Sequence, residues 1–554
     1  MQIFSDKVFK NPIKTIMAFD SDSFKKAFLE IEKLKEKYYL LGYIRYEAKD
    51  IFLGKNVDSK FPILFFQAFE DYSVLKPPPE TTNIFLLPEK TISYKTYSEN
   101  IKKIKEYISE GHTYEVNYTY SSHVYFGEDT ENLFFSLLKR QKTPYCALIK
   151  NDYDEILSFS PELFFELDGN KIRTKPMKGT IKRGETEQED NFNIEFLKKD
   201  PKNKAENVMI VDLLRNDLGK IAKTGSVKVN KLFEIETHST LHQMTSEIEA
   251  ELKDETTLFE IFEAIFPCGS ITGAPKIRTM EIIGEIEEGK RDIYCGAIGL
   301  ISKDKATFSV PIRTLQRKKN DSFFDYKIGG AIVWDSNAED EWDETLVKTS
   351  FLTSNHNELK LIETIKIKNK KPLFFSEHLQ RLKKTASTFD FDFNEELYNL
   401  KFEEDGMLRL LLSKDGSCEL QLIPLKESTT NKVKMSKLTV NSKNPFLLHK
   451  TTYRPYYEKS MEKISANEIY DEIFINEKGE ITEGARTNIV LNLEGKLYTP
   501  PLSCGCLNGI YRQDLLKKGK CKERILYKSD LLNAKEIFCV NSVRGMKRVE
   551  YDPN

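Results

Sequence analysis

The sequence predicts an α+β protein with a large first domain and a smaller second domain. Its 554 residues are enough for two or more domains, each with its own apolar core. Helical and strand-like patterns of apolar residues both recur along the chain. The polar run Thr353–Glu358 separates a long predicted helix from a new strand, so we place the domains at residues 1–354 and 355–554.

Composition restricts the classes of protein to which this chain can belong. Hydrophobic residues make up 40% and charged residues 31%, the balance of an ordinary globular protein. The formal net charge of −2 provides no basic field for nucleic acid or an anionic membrane. No apolar run is long enough to span a bilayer. The eight cysteines lack paired CxxC spacing, which is typical of a reduced protein in the cytoplasm.

Periodic apolar residues mark the main elements of both halves. In the second half, Leu359–Ile367 is predicted to be a strand. The Asp415–Gly416 turn, between Leu408–Leu412 and Cys418–Ile423, indicates a hairpin. The predicted helices of the first half lie at Asp20–Tyr38, Thr96–Glu110, Asn203–Leu218, Thr272–Glu288 and Ser336–Thr349.

A glycine-containing run, Pro267–Arg278, is a candidate anion-binding site. Its Gly-Ser-Ile-Thr-Gly segment can direct backbone N–H groups at anionic oxygens before a helix starts. Lys276 and Arg278 add positive charge. The alternative is an ordinary helix N-terminus with Pro275 in its first turn. Residue chemistry alone leaves both interpretations open.

Carboxylates on two further predicted helices are candidate metal ligands. Glu206 leads into an apolar helix, where it either interacts with the helix dipole or faces a cavity and holds Mg²⁺. Glu341, Glu344 and Lys348 share one helical face because of their i, i+3, i+7 spacing. Two carboxylates on one face suit a hard divalent cation, and a solvated, salt-bridged surface is the alternative.

These elements, with Ser160–Glu162 and Lys175–Thr180, resemble the chorismate-utilising enzymes, which include anthranilate, aminodeoxychorismate, isochorismate and salicylate synthases. The matches run in order over Thr96–Lys348, with further pieces at Val310–Thr314 and Gly329–Val333. The resemblance implies a two-sheet α/β sandwich with its site between the sheets and chorismate as substrate.

The resemblance also implies roles for individual residues. Glu206 and Glu344 would ligate Mg²⁺, with Glu341 close by. Glu162 would protonate the departing 4-hydroxyl group as a general acid. The implied substrate-binding residues are Arg313, Gly329 and Gly330 at a carboxylate, Thr272, Gly273 and Lys276 along the pocket, and His242 near the reacting ring.

Lys178 indicates which members of that family this chain resembles. Aminodeoxychorismate synthases share this lysine, whereas anthranilate and isochorismate synthases usually have a small residue there. A lysine amine in an apolar pocket can have a lowered pKa and act as a nucleophile. It would add at C2 and expel the C4 hydroxyl group, and ammonia would then enter at C4. The alternative is that Lys178 is a simple carboxylate partner. Glu115 departs from the glutamine of many ammonia-using relatives.

The source of the ammonia lies outside the motifs of this sequence. The chain contains no Cys nucleophile elbow followed by a His–Glu pair. We therefore expect ammonia to come from solution or from a separate glutamine amidotransferase subunit.

The second half carries a different set of candidate residues. Arg381 lies in a predicted helix capped by Ser376, and Glu483 is the central acid of a strand-to-turn segment. Gly509 precedes another predicted helix, which is a candidate phosphate cradle. With Lys450, and in this order, these residues resemble the fold-type IV pyridoxal-phosphate enzymes. That family includes branched-chain and D-amino acid aminotransferases and aminodeoxychorismate lyase.

That resemblance implies a pyridoxal 5'-phosphate site. Lys450 would bind the cofactor covalently, and Glu483 would pair with the pyridinium nitrogen and strengthen the electron sink. Asn488 would support the turn at Glu483. The phosphate would be bound by Arg381, the backbone of Ile510 and Tyr511, and Ser542.

The two resemblances together imply synthesis of p-aminobenzoate, for the folate pathway. The first half would aminate chorismate to 4-amino-4-deoxychorismate, and the second would eliminate pyruvate. The second half alone leaves lyase and aminotransferase open. The alternatives are an anthranilate synthase or other chorismate-aminating component fused to a branched-chain or D-amino acid aminotransferase-like domain, and a non-catalytic subunit that binds a glutaminase.

Overall fold

The chain folds into two compact units. The structure is a computed structural model that describes residues 1–76, 83–127, 129–184, 186–237 and 241–553. The first unit takes in Met1–Ile84, Pro88–Val124 and Glu128–Phe351, and the second takes in Phe85–Leu87, Tyr125–Gly127 and Leu352–Asn554.

The second unit therefore includes short segments that the sequence did not associate with it. Phe85 and Leu87 pack in the same apolar cluster as Leu361, Leu382 and Leu410. These segments lie far from the rest of the unit along the chain, and local patterns of apolar residues cannot reveal such a pairing.

Within the described residues, the first unit contains two extensive antiparallel sheets. An apolar cluster that includes Phe4 and Ile149 of one sheet and Tyr43 and Phe65 of the other joins them, which confirms the two-sheet sandwich. The strand order of the first sheet is Gly273–Ala274, Glu115–Tyr125, Phe323–Ile332, Thr314–Lys318, Asp154–Ser160, Tyr145–Lys150, Gln2–Phe4, Lys7–Phe9 and Ser73–Val74, with Pro88–Lys90 also on Glu115–Tyr125. The order of the second is Met177–Lys182, Leu241–Glu251, Lys171–Lys175, Leu163–Asp168, Lys305–Ser309, Ala297–Ser302, Tyr39–Ile44, Leu64–Phe69 and Lys14–Ala18, with Lys228–Thr237 also on Leu241–Glu251.

Helices cover the sandwich and supply part of its core. The described helices that begin in this unit are Ser21–Leu34, Ala48–Phe52, Tyr94–Ser109, Thr130–Arg140, Glu187–Lys199, Pro201–Gly219, Leu258–Ile265, Lys276–Ile286 and Ala338–Thr353, with a 3-10 turn at Gly269–Ile271. Most predicted helices are thus present, with their ends displaced by a few residues. Across the described residues, no helix combines the length and apolar character that crossing a membrane would need.

The helix predicted from Thr272 starts later, at Lys276. Gly273 and Ala274 instead form a short strand that pairs with Val116 and Glu115. Gly273 has a φ of +140°, and a Cβ atom there would lie 1.9 Å from the carbonyl oxygen of Glu115. The backbone approach that only glycine allows therefore takes these residues out of the helix.

The second unit contains a smaller antiparallel sheet and a larger mixed sheet. The predicted hairpin is confirmed, because Leu408 pairs with Leu422 and Leu412 with Cys418. The smaller sheet has the order Lys371–Pro372, Leu361–Lys368, Gly406–Leu412 and Cys418–Ile423. The larger has the order Ile481–Gly484, Asp471–Asn476, Lys432–Val440, Gly545–Tyr551, Glu536–Asn541, Asn488–Leu493, Lys496–Thr499 and Lys522–Glu523. The described helices are Phe375–Phe389, Glu458–Ser465, Ile510–Lys517 and Lys528–Asn533, with 3-10 turns at His356–Glu358, Glu395–Asn399, Pro445–Leu448, Pro455–Tyr457 and Leu502–Cys504.

The cap predicted for the first of these helices is wrong. Phe374, in a left-handed conformation, precedes the helix, and no side-chain hydrogen bond caps it. Ser376 lies inside the first turn. A serine before an apolar run therefore does not locate the start of this helix, because the helix already begins at Phe375, one residue before Ser376.

We predict that Phe262→Ala strongly destabilises the first unit. Phe262 is buried and packs edge-on against Phe165 and Phe308. Removing a buried aromatic ring costs about 3–5 kcal/mol, which the denaturant midpoint of the first unit's unfolding transition would show. Phe192→Ala is the matched control, because Phe192 is 69% exposed. Equal midpoints for the two variants would contradict this prediction.

Candidate functional site

A charged cavity of about 370 Å³ lies in the first unit. One sheet contributes Gly329 and the other contributes Lys178. The helix Pro201–Gly219 contributes Glu206, and the helix Ala338–Thr353 contributes Glu341. The site therefore lies where both sheets and two helices meet, and side chains far apart in the sequence converge there.

Lys178 is buried and pairs with a carboxylate from the opposite sheet. Its Nζ atom donates to Oε1 of Glu115 at 2.5 Å. Burial alone lowers the pKa of the Lys178 amine, but the carboxylates around it, above all Glu115 and Glu206, outweigh burial and raise the pKa overall. The expectation of a lowered pKa is therefore wrong for this structure, because the pocket is acidic rather than apolar.

Glu162 is placed to carry a proton at neutral pH. Its side chain is buried, and Ser270 Oγ donates to its Oε1 at 2.6 Å. Burial raises the pKa of Glu162 to about 7, although the bond from Ser270 and the charge of Lys178 oppose the shift. A carboxylic acid with this pKa can protonate a leaving group in the physiological range.

The three expected metal ligands line the same cavity, but the pKa values of their carboxyl groups are shifted in different directions. Burial raises the pKa of Glu206 to about 7. Burial also raises the pKa of Glu341, whose Oε1 accepts a 2.7 Å bond from Ser336. Glu344 is half exposed, and the Lys348 ammonium, 2.8 Å away, lowers its pKa.

A complete three-carboxylate metal site is not preformed. Across the described chain, no group of three or more His, Cys, Asp or Glu side chains is arranged to hold a metal ion. Mg²⁺ commonly uses only one or two protein carboxylates and takes its other oxygens from substrate and water. Among the described residues, Glu206 forms no ion pair, whereas Oε1 of Glu341 lies 3.6 Å from Lys202 Nζ and Glu344 pairs with Lys348. All three carboxylates line the cavity, and their oxygens are the kind of ligand that this ion takes.

Arg313 provides a positive charge at the cavity wall. In the part of the chain that the structure describes, its guanidinium group forms no ion pair, and burial lowers its pKa. Gly329 lies nearby along the wall, and a Cβ atom there would come within 2.1 Å of the Tyr118 carbonyl oxygen. At Gly330, a Cβ atom would lie 3.3 Å from Oε2 of Glu341. An unpaired guanidinium beside tightly packed backbone is suited to bind a substrate carboxylate.

Thr272, Gly273 and Lys276 do not line the cavity, contrary to expectation, whereas Ser270 and Ile271 of the same run do. The Thr272 hydroxyl donates back into its own turn, and Gly273 is held in the strand pairing described above. Lys276 pairs with a buried aspartate of the helix Pro201–Gly219. Backbone pairing and this ion pair direct these groups away from the substrate space.

His242 is also outside the cavity, and its neighbour Gln243 lies in the wall. The His242 ring is fully buried, with Nε2 2.8 Å from Asp190 Oδ1 and Nδ1 2.9 Å from Thr237 Oγ1. Successive side chains of a strand point to opposite faces. Strand alternation therefore indicates that only one of His242 and Gln243 can face the cavity.

The second unit contains a buried lysine with a lowered pKa. Lys450 Nζ donates to Thr364 Oγ1 at 2.8 Å. Burial lowers the pKa of Lys450 to about 7, and the positive charges of Arg381, Arg454 and Arg409 act in the same direction. The amine is therefore largely neutral above neutral pH, as covalent binding to an aldehyde requires.

Glu483 is held by a set of convergent donors. Its carboxylate accepts bonds from the Tyr457 hydroxyl at 3.0 Å, the Leu507 backbone N–H at 3.1 Å and Asn488 Nδ2 at 3.3 Å. Burial raises the pKa of Glu483 to about 7. Asn488 thus contacts the Glu483 carboxylate directly.

The expected phosphate-binding groups lie close to a helix N-terminus. The helix Ile510–Lys517 begins with Ile510 and Tyr511 after Gly509, where a Cβ atom would come within 2.0 Å of Asn488 Oδ1. Arg381 donates to both oxygens of Glu363, at 2.8 and 2.7 Å, and its Nη1 donates to the Asn508 carbonyl. Ser542 is half buried just after the strand Glu536–Asn541. Backbone N–H groups, a fixed guanidinium, a neutral lysine and an acid fit pyridoxal phosphate.

Two arginines near Lys450 were not identified from the sequence. Arg409 lies directly opposite Thr364 in the paired strands, and Thr364 bonds Lys450. The guanidinium of Arg454 lies 4.6 Å from the centre of the Tyr457 ring. In the described parts of the chain, neither arginine has an ion-pair partner. Arg409 lies far from Lys450 along the chain and comes near it only through strand pairing, which a local motif cannot show. Arg454 lies in the same segment as Lys450, but no motif in the sequence sets it apart.

Comparison with known proteins assigns the class of this chain. Residues 67–354, more than half of the chain, match the chorismate binding enzyme family, so the chain belongs to that family. Residues 360–550 match amino-transferase class IV. The anthranilate synthase component I from Streptococcus pneumoniae TIGR4 has the same fold over 63% of this chain and 92% of its own, with a TM-score of 0.55 and 22% identity.

Particular relatives fall in two groups. The aminodeoxychorismate synthase component 1 of Escherichia coli (strain K12) is 38% identical over 263 residues, which are 47% of this chain and 58% of that protein. An anthranilate synthase component 1 of Haloarcula marismortui is 37% identical over 279 residues, which are 50% and 56%. The chain thus spans less than two thirds of the length of these relatives. Because the identities are nearly equal, the site residues must distinguish the two reactions.

We predict that attachment of pyridoxal phosphate to the cofactor-free protein speeds up with pH only to about neutrality. The neutral amine attacks the aldehyde, and the pKa of Lys450 is about 7. The rate should therefore level off above about pH 8, whereas an ordinary lysine would accelerate to about pH 10. Absorbance of the attached cofactor gives the rate, and borohydride reduction with peptide mapping shows the modified lysine. A rate on Lys450 that climbs to pH 10 contradicts the prediction.

Proposed function

We propose that this chain makes p-aminobenzoate from chorismate in two successive steps. The first unit aminates chorismate to 4-amino-4-deoxychorismate, and the second eliminates pyruvate from that product. The placement of Lys178 in the cavity with Glu162 and Arg313 carries the proposal. A nucleophilic lysine, an acid and a free cation are the groups that displacement of the hydroxyl of a dicarboxylate requires.

The first step uses the lysine and the acid in sequence. Lys178 Nζ bonds to C2 of chorismate, the ring double bonds shift, and the C4–oxygen bond breaks. Glu162 gives its proton to that oxygen, which leaves as water. Ammonia then bonds to C4, the double bonds shift back, and the C2–Nζ bond breaks. The enolpyruvyl side chain is retained for the second step.

The two carboxylates of the substrate are neutralised by different positive charges. Arg313 binds one carboxylate with charge-assisted bonds. Mg²⁺ on Glu206 and Glu344, with Glu341 close by, would neutralise the other carboxylate and orient it. Burial raises the pKa values of Glu206 and Glu341, and a dication beside them would favour their charged forms.

The second step uses Lys450 as a proton carrier. When bound, pyridoxal phosphate supplies an electron sink next to the substrate amine. Lys450 takes the proton from C4, the C3–oxygen bond breaks, and the proton goes to the departing enolpyruvyl group, which leaves as pyruvate. Arg409 and Arg454 bind the substrate carboxylates. Glu483 would hold the pyridine nitrogen of the bound cofactor.

Ammonia reaches the first unit from a separate glutamine amidotransferase subunit. The absence of a glutaminase motif from the sequence and the component 1 relatives support this partner. The product feeds folate synthesis. A cytoplasmic location is consistent with the eight cysteines, all of which are free thiols.

We predict that Lys178→Ala abolishes amination, because the nucleophile is lost. The second unit should still convert supplied 4-amino-4-deoxychorismate to p-aminobenzoate. Product analysis with chorismate, Mg²⁺ and an ammonium salt measures both activities. Lys182→Ala, an exposed lysine of the same strand, is the control. Undiminished amination by Lys178→Ala would show that the covalent role is wrong.

We predict that Lys450→Ala accumulates 4-amino-4-deoxychorismate from chorismate, Mg²⁺ and ammonium. The variant loses both the cofactor attachment and the proton carrier, so pyruvate release should fall to background. Chromatography with mass detection follows both products, and added aminodeoxychorismate lyase should convert the accumulated pool. Lys443→Ala, an exposed lysine, is the control.

Two results would contradict the assignment of the second unit. If Lys450→Ala still forms p-aminobenzoate at the parent rate, the second unit is not the lyase. If the parent protein stops at the amino intermediate, the class IV match reflects an aminotransferase.

A further inference from the structure

Glu115 has a hydrogen-bonding pattern that the two-step scheme does not use. It is fully buried at the start of the strand Glu115–Tyr125. Its Oε1 accepts from Lys178 Nζ at 2.5 Å and from Asn117 Nδ2 at 3.0 Å. Its Oε2 is also buried and has no hydrogen-bond partner among the described residues. A buried carboxylate oxygen without a partner is costly, which calls for an explanation.

The amination step requires a destination for a proton. Lys178 can attack C2 only as a neutral amine. Its acidic surroundings, Glu115, Glu206 and Glu162, instead favour the ammonium form. Because Lys178 is buried, release of this proton to bulk water in every turnover would be slow. We therefore expect an internal proton acceptor in contact with the amine.

We propose that Glu115 accepts the proton of Lys178, holds it throughout the covalent stage and returns it when the lysine is released. The inference rests on the proposed amination function. It makes Glu115 a positioning and proton-holding residue that acts through Lys178, with Oε1 as the atom in contact and Oε2 as the additional site for the proton.

The proton balance closes over one cycle. The ion pair of Lys178 ammonium and Glu115 carboxylate becomes a neutral amine and a neutral acid. The amine bonds to C2, and water leaves C4 with the proton of Glu162. After ammonia bonds to C4 and the C2–Nζ bond breaks, the free amine takes its proton back from Glu115. Glu162 is recharged from solvent.

Other carboxylates are less suited to this role. Glu162 must be protonated when the hydroxyl group leaves, so it cannot also be the acceptor at that moment. Glu206 has no bond to Lys178 within the described structure and faces the proposed metal. Glu115 alone among these three contacts Nζ directly in the described residues. Conversion of a buried ion pair to a neutral pair also removes two charges from a site of low polarity.

The pH dependence of adduct formation distinguishes proton transfer within the Lys178–Glu115 pair from proton loss to solvent. Transfer between Lys178 and Glu115 conserves the total number of protons, so activation of the amine does not depend on pH. With Glu115→Gln, the amine must lose its proton to solvent, and its free fraction rises about tenfold per pH unit. The other groups that face Lys178 are Glu162, Glu206, Glu344 and Lys202. The parent and the Glu115→Gln variant share these groups. Their titration therefore affects both rates alike and cancels, to first order, in the ratio of the variant rate to the parent rate.

The test measures formation of the Lys178 adduct in a single turnover without ammonium. The full chain is mixed with chorismate and MgCl₂ from about pH 6 to about pH 9, quenched, and analysed by intact mass and peptide mapping. We expect Glu115→Gln to be at least about tenfold slower than the parent at neutral pH. The ratio of variant to parent rates should then rise about tenfold per pH unit.

Two further variants separate the role of Glu115 from an effect on folding. Glu115→Asp retains a carboxylate, so it should form the adduct more slowly than the parent. The ratio of its rate to the parent rate should not change with pH. Tyr114→Phe changes an exposed side chain next to Glu115 and should match the parent. The denaturant midpoint of the first unit's unfolding transition, measured for each variant, reports on folding of the unit that contains Glu115.

The outcomes distinguish the inference from the function on which it rests. If the parent forms the adduct and the Glu115→Gln ratio does not change with pH, Glu115 is not the acceptor, although the amination function stands. If the parent aminates chorismate without any adduct on Lys178, the covalent route and the role of Glu115 both fail.

Discussion

The ion pair between Lys178 and Glu115 joins the two sheets of the first unit, and the geometry of the cavity between them depends on it. Lys178 lies on the strand Met177–Lys182 of one sheet, and Glu115 lies on the strand Glu115–Tyr125 of the other. Both charges have left water, so each must be compensated by the other and by neighbours such as Asn117. Loss of either partner would leave an unpaired charge in the core, and the pairing therefore fixes the Lys178 amine with respect to both walls of the cavity.

Burial and neighbouring charges give the carboxylates of this cavity different pKa values. Glu162 is buried with a hydroxyl partner, and its pKa is raised to about 7. Glu344 is half exposed beside the Lys348 ammonium, and its pKa is lowered. One residue can therefore act as an acid while the other remains an anion at the same pH. Pairs of groups whose environments separate their pKa values are a recurrent way to assign acid and ligand roles.

Sequence reasoning succeeded where information is local and failed where strands from distant segments meet. The hairpin at Asp415–Gly416 and the helix after Gly509 follow from turn and helix-start signals, and both are present. The order of the chorismate motifs likewise led to the sandwich and to most of the cavity. Gly273 was assigned to a helix because its pairing with Val116 is invisible in the local pattern. Strand alternation, which is visible in the sequence, predicts that Gln243 and His242 point to opposite faces, but it does not say which of them faces the cavity.

The two buried lysines show why the pKa of a functional group could not be predicted from its burial alone. Burial lowers the pKa of both amines, and three carboxylates oppose this at Lys178. At Lys450 the carboxylate of Glu363 opposes it, but Arg381, Arg454 and Arg409 act with burial. The net shifts are therefore opposite. The pKa of Lys450 is lowered to about 7, so a large share of its amine is neutral near neutral pH, whereas the carboxylates around Lys178 favour its ammonium form. A nucleophile stored in this way needs a local proton acceptor before it can react, and Glu115 is the carboxylate in contact with it.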